Sequence, residues 1–169
     1  YMLTGKAICE YTVASTSQML NPMTGDLDAE ILEALGIPRE KFGVMTQPGT
    51  VAGTLTEQVQ EATGLGAVPV IAVAGHDTGS AVAAVPAKDK EYAYLSCGTW
   101  SLLGIESETA IITEDSFREN FTNEGGIEGT TRFLKNICGL WLFEQSRKKF
   151  KDAPSSVGEL VALCEESSY

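Results

Sequence analysis

Apolar and polar positions change period several times along the chain, and each change marks an element. Val68-Pro69-Val70-Ile71-Ala72-Val73-Ala74 is an unbroken apolar run, the pattern of a strand buried on both faces. Gly75 ends it, His76-Asp77-Thr78 makes a tight polar turn, and the small residues of 79–84 predict a short helix stopped by Pro86. Upstream, Ile31, Leu32 and Leu35 at helical spacing predict a helix from about Asp28, with Asp26 as its cap and Gly36 and Pro38 closing it. Thr54 and Glu57 have capping-box spacing and open a helix that ends at Gly64. Downstream, Tyr92-Ala93-Tyr94-Leu95-Ser96 and Leu102-Leu103-Gly104-Ile105 predict a β-hairpin turned by residues 97–101. Residues 106–126 read as an irregular excursion, and residues 127–134 contain a further strand. A helix starts at Asn136 with Ile137, Leu140 and Trp141 on one face and a basic tail at Arg147-Lys148-Lys149. Ser156 and Glu159 cap a last helix holding Leu160, Leu163 and Cys164. Residues 1–18, with the hydroxyl-rich Ala14-Ser15-Thr16-Ser17-Gln18, fit no element by pattern.

Two of these turns could carry chemistry. Ligands of open α/β sheets sit beyond the carboxyl ends of the strands, where the pattern puts His76, Asp77 and Thr78, beside a helix N-terminus that favours negative charge. Asp77 is equally readable as the cap of that helix. The turn Ser96-Cys97-Gly98-Thr99-Trp100-Ser101 could present consecutive backbone N–H groups to a phosphate, with the Thr99 hydroxyl as a further donor. Taken alone it reads first as an ordinary glycine-containing hairpin turn.

Composition narrows the ligand. The chain has 169 residues, 43% hydrophobic, and a formal net charge of −11. It can bury a core, and no apolar run is long enough to span a bilayer. The acidic balance excludes broad binding to nucleic acid or to an anionic membrane surface, which need basic patches. One small phosphorylated ligand held by backbone amides and a metal stays open. Cys9, Cys97, Cys138 and Cys164 are widely spaced, and His76 is the only histidine, so a zinc site is not expected. Buried free thiols in a reducing cytoplasm account for the cysteines.

Tyr1 opens the chain with neither an initiator methionine nor a charged-then-apolar leader, and residues 165–169 break off inside a helical pattern. The expectation is a fragment of a larger cytoplasmic protein, with a domain boundary in the charged turn of residues 86–90. There is no G-x-x-x-x-G-K-[ST], no G-x-G-x-x-G after a strand and no H-E-x-x-H. A Ser-His-Asp triad is disfavoured, because the side chains of the neighbours His76 and Asp77 diverge.

Taken together the motifs match a family. Gly75-His76-Asp77-Thr78 with Ser80-Ala81-Val82, followed by Tyr94-Leu95-Ser96-Cys97-Gly98-Thr99-Trp100-Ser101, resembles the FGGY carbohydrate kinases. Thr122-Asn123-Glu124-Gly125-Gly126 and Leu134-Lys135-Asn136-Ile137-Cys138-Gly139-Leu140-Trp141-Leu142 resemble the rhamnulokinase branch, as do Thr16-Ser17-Gln18 and Pro48-Gly49-Thr50-Val51-Ala52-Gly53. The resemblance implies an α/β, actin-like ATPase (ribonuclease H-like) fold with two domains around a cleft. Residues 1–85 would end the N-terminal, sugar-binding domain and residues 86–169 would begin the C-terminal, nucleotide-binding domain. It also implies transfer of the γ-phosphoryl group of ATP, with Mg2+, to the 1-hydroxyl of L-rhamnulose.

Residue by residue, the resemblance implies Asp77 as catalytic base, His76, Thr78 and Asn136 as sugar contacts, and Gly98 and Thr99 as the ATP phosphate turn. Asn136 could equally be a simple N-cap. Where the branch carries a glutamine near nucleotide, eight residues after Asn136, this chain has Glu144 with Gln145 next to it. A carboxylate there is unfavourable beside phosphates, so Glu144 is left out of the nucleotide site. The family's first phosphate loop and its adenosine site match nothing in this chain. The partners implied are a small sugar, ATP and the rest of the parent kinase chain, with neither nucleic acid nor membrane among them. The isolated chain is expected to have no measurable kinase activity.

Overall fold

A computed structural model of the chain describes residues 1–152, 154 and 156–168. The elements run β1 (Ile8–Glu10), α1 (Tyr11–Ser15), β2 (Leu20–Asn21), β3 (Asp26–Leu27), α2 (Ala29–Leu35), β4 (Val44–Thr46), β5 (Val51–Thr54), α3 (Glu57–Thr63), β6 (Pro69–Ile71) and α4 (Asp77–Ala83). They continue with β7 (Ala93–Cys97), β8 (Trp100–Ser107), α5 (Glu114–Arg118), β9 (Phe121–Gly125), β10 (Thr131–Cys138), α6 (Leu140–Arg147) and α7 (Val157–Glu166). The chain divides into two compact units, the first formed by residues 1–96 and 102–136, the second by residues 97–101 and 137–169.

In the first unit β1 pairs in parallel with β4, β2 is antiparallel to β3, and β5 is antiparallel to β6 with a register shift between Val51 and Gly53. The larger sheet has the order β7-β8-β10-β9, and β9 and β10 are antiparallel with Arg132 opposite Glu124. Their connection needs positive φ at both central residues, and Glu128 and Gly129 have φ of 52° and 79°, the condition of a type I′ turn. The core gathers Val82 of α4, Tyr94 of β7 and Leu134 of β10, with Tyr92 and Leu102 packed against it. Gly104 on β8 is required there, because a Cβ would stand 2.7 Å from Leu134 Cβ and from the Phe133 carbonyl oxygen. The second unit is the tip of the β7–β8 hairpin with α6 and α7.

Several elements depart from the sequence expectations. The N-cap of α2 is Asp28, which accepts from the N–H groups of Glu30 and Ile31; Asp26 is taken up in β3 and in an ion pair with Arg39. The cap of α3 is Thr56, because Thr54 is paired in β5. Strand β6 is three residues long and, among the described residues, pairs with β5 alone; Ile71 and, beyond the strand, Val73 are exposed while Ala72 and Ala74 are buried. The excursion of 106–126 contains α5 and β9, and the unassigned opening contains α1. Three of the four cysteines are exposed and Cys9 is half-buried; all four are free thiols. Gly36 and Gly64 close α2 and α3 in the left-handed conformation, and Ser156 and Glu159 form the expected capping box of α7. That helix ends at Glu166, Ser167 continues with extended backbone, and Tyr169 lies outside the described residues.

Candidate functional site

The turn at 75–78 is held by α1. Glu10 caps α1 through the N–H groups of Thr12 (2.9 Å) and Val13 (3.1 Å), and the same carboxylate accepts the Gly75 N–H at 3.0 Å. Thr12 is fully buried; its hydroxyl donates to Glu10 at 2.7 Å and accepts the His76 N–H at 3.1 Å. A Cβ on Gly75 would stand 2.9 Å from Glu10 Oε2 and 3.1 Å from Val13 Cγ2, so glycine lets this turn lie close to α1. From the other side Ser80 Oγ donates to the Ala74 carbonyl at 2.6 Å. These bonds fix the backbone from which the His76 and Asp77 side chains project.

Asp77 is the first residue of α4 and is exposed; the N-cap is His76, which makes no side-chain cap bond. One Asp77 oxygen accepts the Thr78 N–H at 2.7 Å and the Thr78 hydroxyl at 3.4 Å. Its second oxygen has no partner among the described residues. The carboxylate is thus oriented at one oxygen and open at the other, an arrangement compatible with accepting a proton. Thr78 is buried and holds Asp77. His76 is half-buried, with Nδ1 3.4 Å from Arg132 Nη2 and 3.9 Å from Glu124 Oε2.

Arg132 is fully buried and lies 3.0 Å from Glu124 Oε2, while its Nε donates to the Gly125 carbonyl at 3.0 Å. Beta strand β9 is fixed to α1 by the Gly125 N–H, which donates to Ser15 Oγ at 2.7 Å. A Cβ on Gly125 would stand 2.5 Å from the Tyr11 ring, so α1 and β9 need glycine there.

Asn136 is exposed within β10, not at a helix start as expected; α6 begins at Leu140 with Gly139 as its N-cap. No hydrogen bond or ion pair joins it to residues 76–78 among the described residues.

In the second unit Gly98 and Thr99 form the two-residue turn between β7 and β8. Their carbonyls accept the N–H groups of Leu140 (3.0 Å) and Trp141 (3.1 Å), supplying the cap that Gly139 lacks. A Cβ on Gly139 would stand 2.6 Å from the Gly98 carbonyl oxygen and 2.4 Å from Ser101 Oγ. The Gly98 N–H is engaged by the Trp100 carbonyl at 2.9 Å, so the turn offers a ligand the Thr99 amide and hydroxyl, not two consecutive free N–H groups. Thr99 lines an apolar cavity of about 640 Å³ with Leu140, Trp141, Glu144, Leu160 and Val161. The Glu144 carboxylate there is paired with Arg147 at 2.9 Å, which offsets the charge that counted against it.

Glu10, Thr12 and Arg132, which stand in none of the motifs read from the sequence, hold this turn and its surroundings, as do Glu124 and Ser15, whose stretches were noted without a role for them. For Arg132 a signal existed: in Thr131-Arg132-Phe133-Leu134 it shares strand parity with the buried Leu134. No group of three or more His, Cys, Asp or Glu side chains among the described residues could hold a metal ion. No helix among them is long and apolar enough to cross a membrane.

Comparison with known proteins places this geometry. The profile of the FGGY family of carbohydrate kinases, N-terminal domain, matches residues 1–84, and that of the C-terminal domain matches residues 93–168. The chain belongs to the FGGY family of carbohydrate kinases. It is similar to the rhamnulokinase of Bacteroides thetaiotaomicron, 59% identical over 161 residues that cover 95% of this chain and 33% of that protein. The rhamnulokinase of Bacillus subtilis is 45% identical over 151 residues, 89% of this chain and 31% of that protein. The chain therefore spans about a third of the length of the curated relatives it matches.

Among solved structures, gluconate kinase from Lactobacillus acidophilus superposes with a TM-score of 0.75 and 20% identity over 98% of this chain and 33% of that chain. A carbohydrate kinase from Novosphingobium aromaticivorans does so at 0.70 and 25% identity, over 89% of this chain and 33% of that chain. The α/β fold is that of the FGGY sugar kinases, the expected actin-like ATPase fold.

Proposed function

We propose that the parent kinase transfers the γ-phosphoryl group of ATP to the 1-hydroxyl of L-rhamnulose. The observation that carries the chemistry is Asp77, with one oxygen oriented by Thr78 and the other free. That oxygen accepts the proton of the attacking hydroxyl as its oxygen bonds to the γ-phosphorus and the bond to the β,γ-bridging oxygen breaks, releasing ADP. His76, Thr78 and Asn136 hold the sugar, Thr78 partly by orienting Asp77. Thr99, with the Gly98 backbone, meets the phosphates, and Mg2+ enters as part of the MgATP substrate. The choice of sugar rests on likeness to proteins named rhamnulokinase at 59% and 45% identity. On this reading residues 1–85 close the sugar-binding domain and residues 86–169 open the nucleotide-binding one, in a cytoplasmic enzyme. The family profiles, which part between 84 and 93, support that division.

The test is ADP release by the full-length kinase with L-rhamnulose, L-xylulose, L-fuculose and glycerol. L-Rhamnulose should give the highest kcat/KM, and Asp77→Asn should lower kcat by about 10²–10⁴-fold, the range of a general base. A different preferred sugar with the same Asp77 effect would move the substrate alone. An active Asp77→Asn enzyme would end the mechanism, and tight sugar binding without transfer would favour a sensing module.

A further inference from the structure

We infer that Arg132, held by Glu124, is a positioning residue that fixes the His76 ring in its Nε2–H tautomer and thereby makes His76 a hydrogen-bond donor to the sugar. The inference rests on the reading of His76 as a sugar contact. A guanidinium carries only donors, so a nitrogen facing it must offer a lone pair. Arg132 Nη2 lies 3.4 Å from His76 Nδ1, which assigns the lone pair to Nδ1 and the proton to Nε2. Glu124 Oε2, the only carboxylate oxygen near that nitrogen among the described residues, is 3.9 Å away and too far to accept a proton from it. It is 3.0 Å from Arg132 Nη2 and sets the guanidinium instead.

The pair is poorly explained as a stabilising device. Arg132 is fully buried and Glu124 nearly so, yet Arg132 Nη1 and Glu124 Oε2 make no well-directed hydrogen bond. Buried ions with unmet hydrogen-bonding capacity cost desolvation that a mutual attraction barely offsets. What the pair does achieve is geometric. The Arg132–Glu124 cross-strand partners belong to β10 and β9, and β9 is itself tied to α1, which also holds the His76 backbone through Thr12. Ring and backbone of His76 are therefore set from one rigid frame.

The experiment uses the full-length kinase with ¹⁵N-labelled histidine, the His76 signals being identified by their loss in His76→Asn. In the wild type at neutral pH, His76 should show protonated Nε2 and unprotonated Nδ1. Arg132→Met and the double variant Arg132→Met/Glu124→Leu should each convert His76 to a mixture of tautomers. Both should raise KM for the ketose by about tenfold, the worth of one ordinary hydrogen bond, with a far smaller change in kcat. The double variant leaves no buried charge unpaired and supplies the same readout if Arg132→Met fails to fold. A wild-type His76 protonated at Nδ1, or folded variants with unchanged tautomer and KM, would overturn the inference. If the kinase ignores L-rhamnulose the proposed function falls, whereas the tautomer spectra still decide the role of Arg132.

Discussion

Tyr94 is buried, and burial pushes its phenol up to about 12 against the opposing pull of Arg132. Burial, with the hydrogen bond to Glu106, takes Tyr92 to about 12 as well. Both values lie above the ordinary tyrosine value of about 10. The protonated phenols therefore contribute stability that is fully present below about pH 10 and lost as the pH rises through about 12. Circular dichroism against pH should show alkaline unfolding in that window, displaced upward in Tyr94→Phe; coincident curves would assign the transition elsewhere. Residues of this kind were hard to read beforehand. The string Asn123-Glu124-Gly125-Gly126-Ile127-Glu128-Gly129-Thr130 holds glycines at two places where the chain could turn. The register that sets Glu124 against Arg132 goes with positive φ at Glu128 and Gly129, which the string does not single out. Asp77 was legible as a site or a cap, and which of its oxygens is left open is a matter of rotamer that sequence does not carry.

Among the elements, α6 depends on a glycine more than on a cap side chain. Gly139→Ala would drive a methyl against the Gly98 carbonyl and Ser101 Oγ, pushing the helix off the 98–99 turn. Urea unfolding should register a loss of about 1–3 kcal/mol, the usual cost of overpacking, together with a higher KM for ATP in the full-length kinase. Ser156→Ala, which removes the hydroxyl that accepts the Glu159 N–H at 3.2 Å, should cost about 1 kcal/mol and leave that KM alone. The helix ends were readable from sequence because their signals are local, as at Gly36, Gly64 and Ser156. Strands were less so: Thr54 satisfies the spacing of a capping box, but pairing with Pro69 claims its backbone for β5. Asn136 reads as a cap for the same local reason, and β10 runs on through it.

For the whole molecule, apolar side chains are exposed on many elements, among them Val73, Trp100, Phe117 and Phe150. A chain spanning about a third of its relatives should behave accordingly when alone. Light scattering after gel filtration should find it self-associating, as so many exposed large apolar side chains favour. A coupled assay should find no phosphoryl transfer, since that chemistry is mostly positioning of two substrates at once. A monomer with robust turnover would contradict both. The family was legible only from several short motifs read together, because composition and periodicity alone say no more than an α/β chain with a polar turn.

The web of bonds from α1 has an evolutionary corollary. In a saturation-mutagenesis survey scored by growth on the sugar, Glu10, Thr12 and Ser15 should form an island of intolerance in a stretch with no recognisable motif. Fitness maps of such enzymes would then mark as essential a segment whose bonds run to a neighbouring turn and strand, and drift at those positions would be constrained by the placement of a neighbour's backbone.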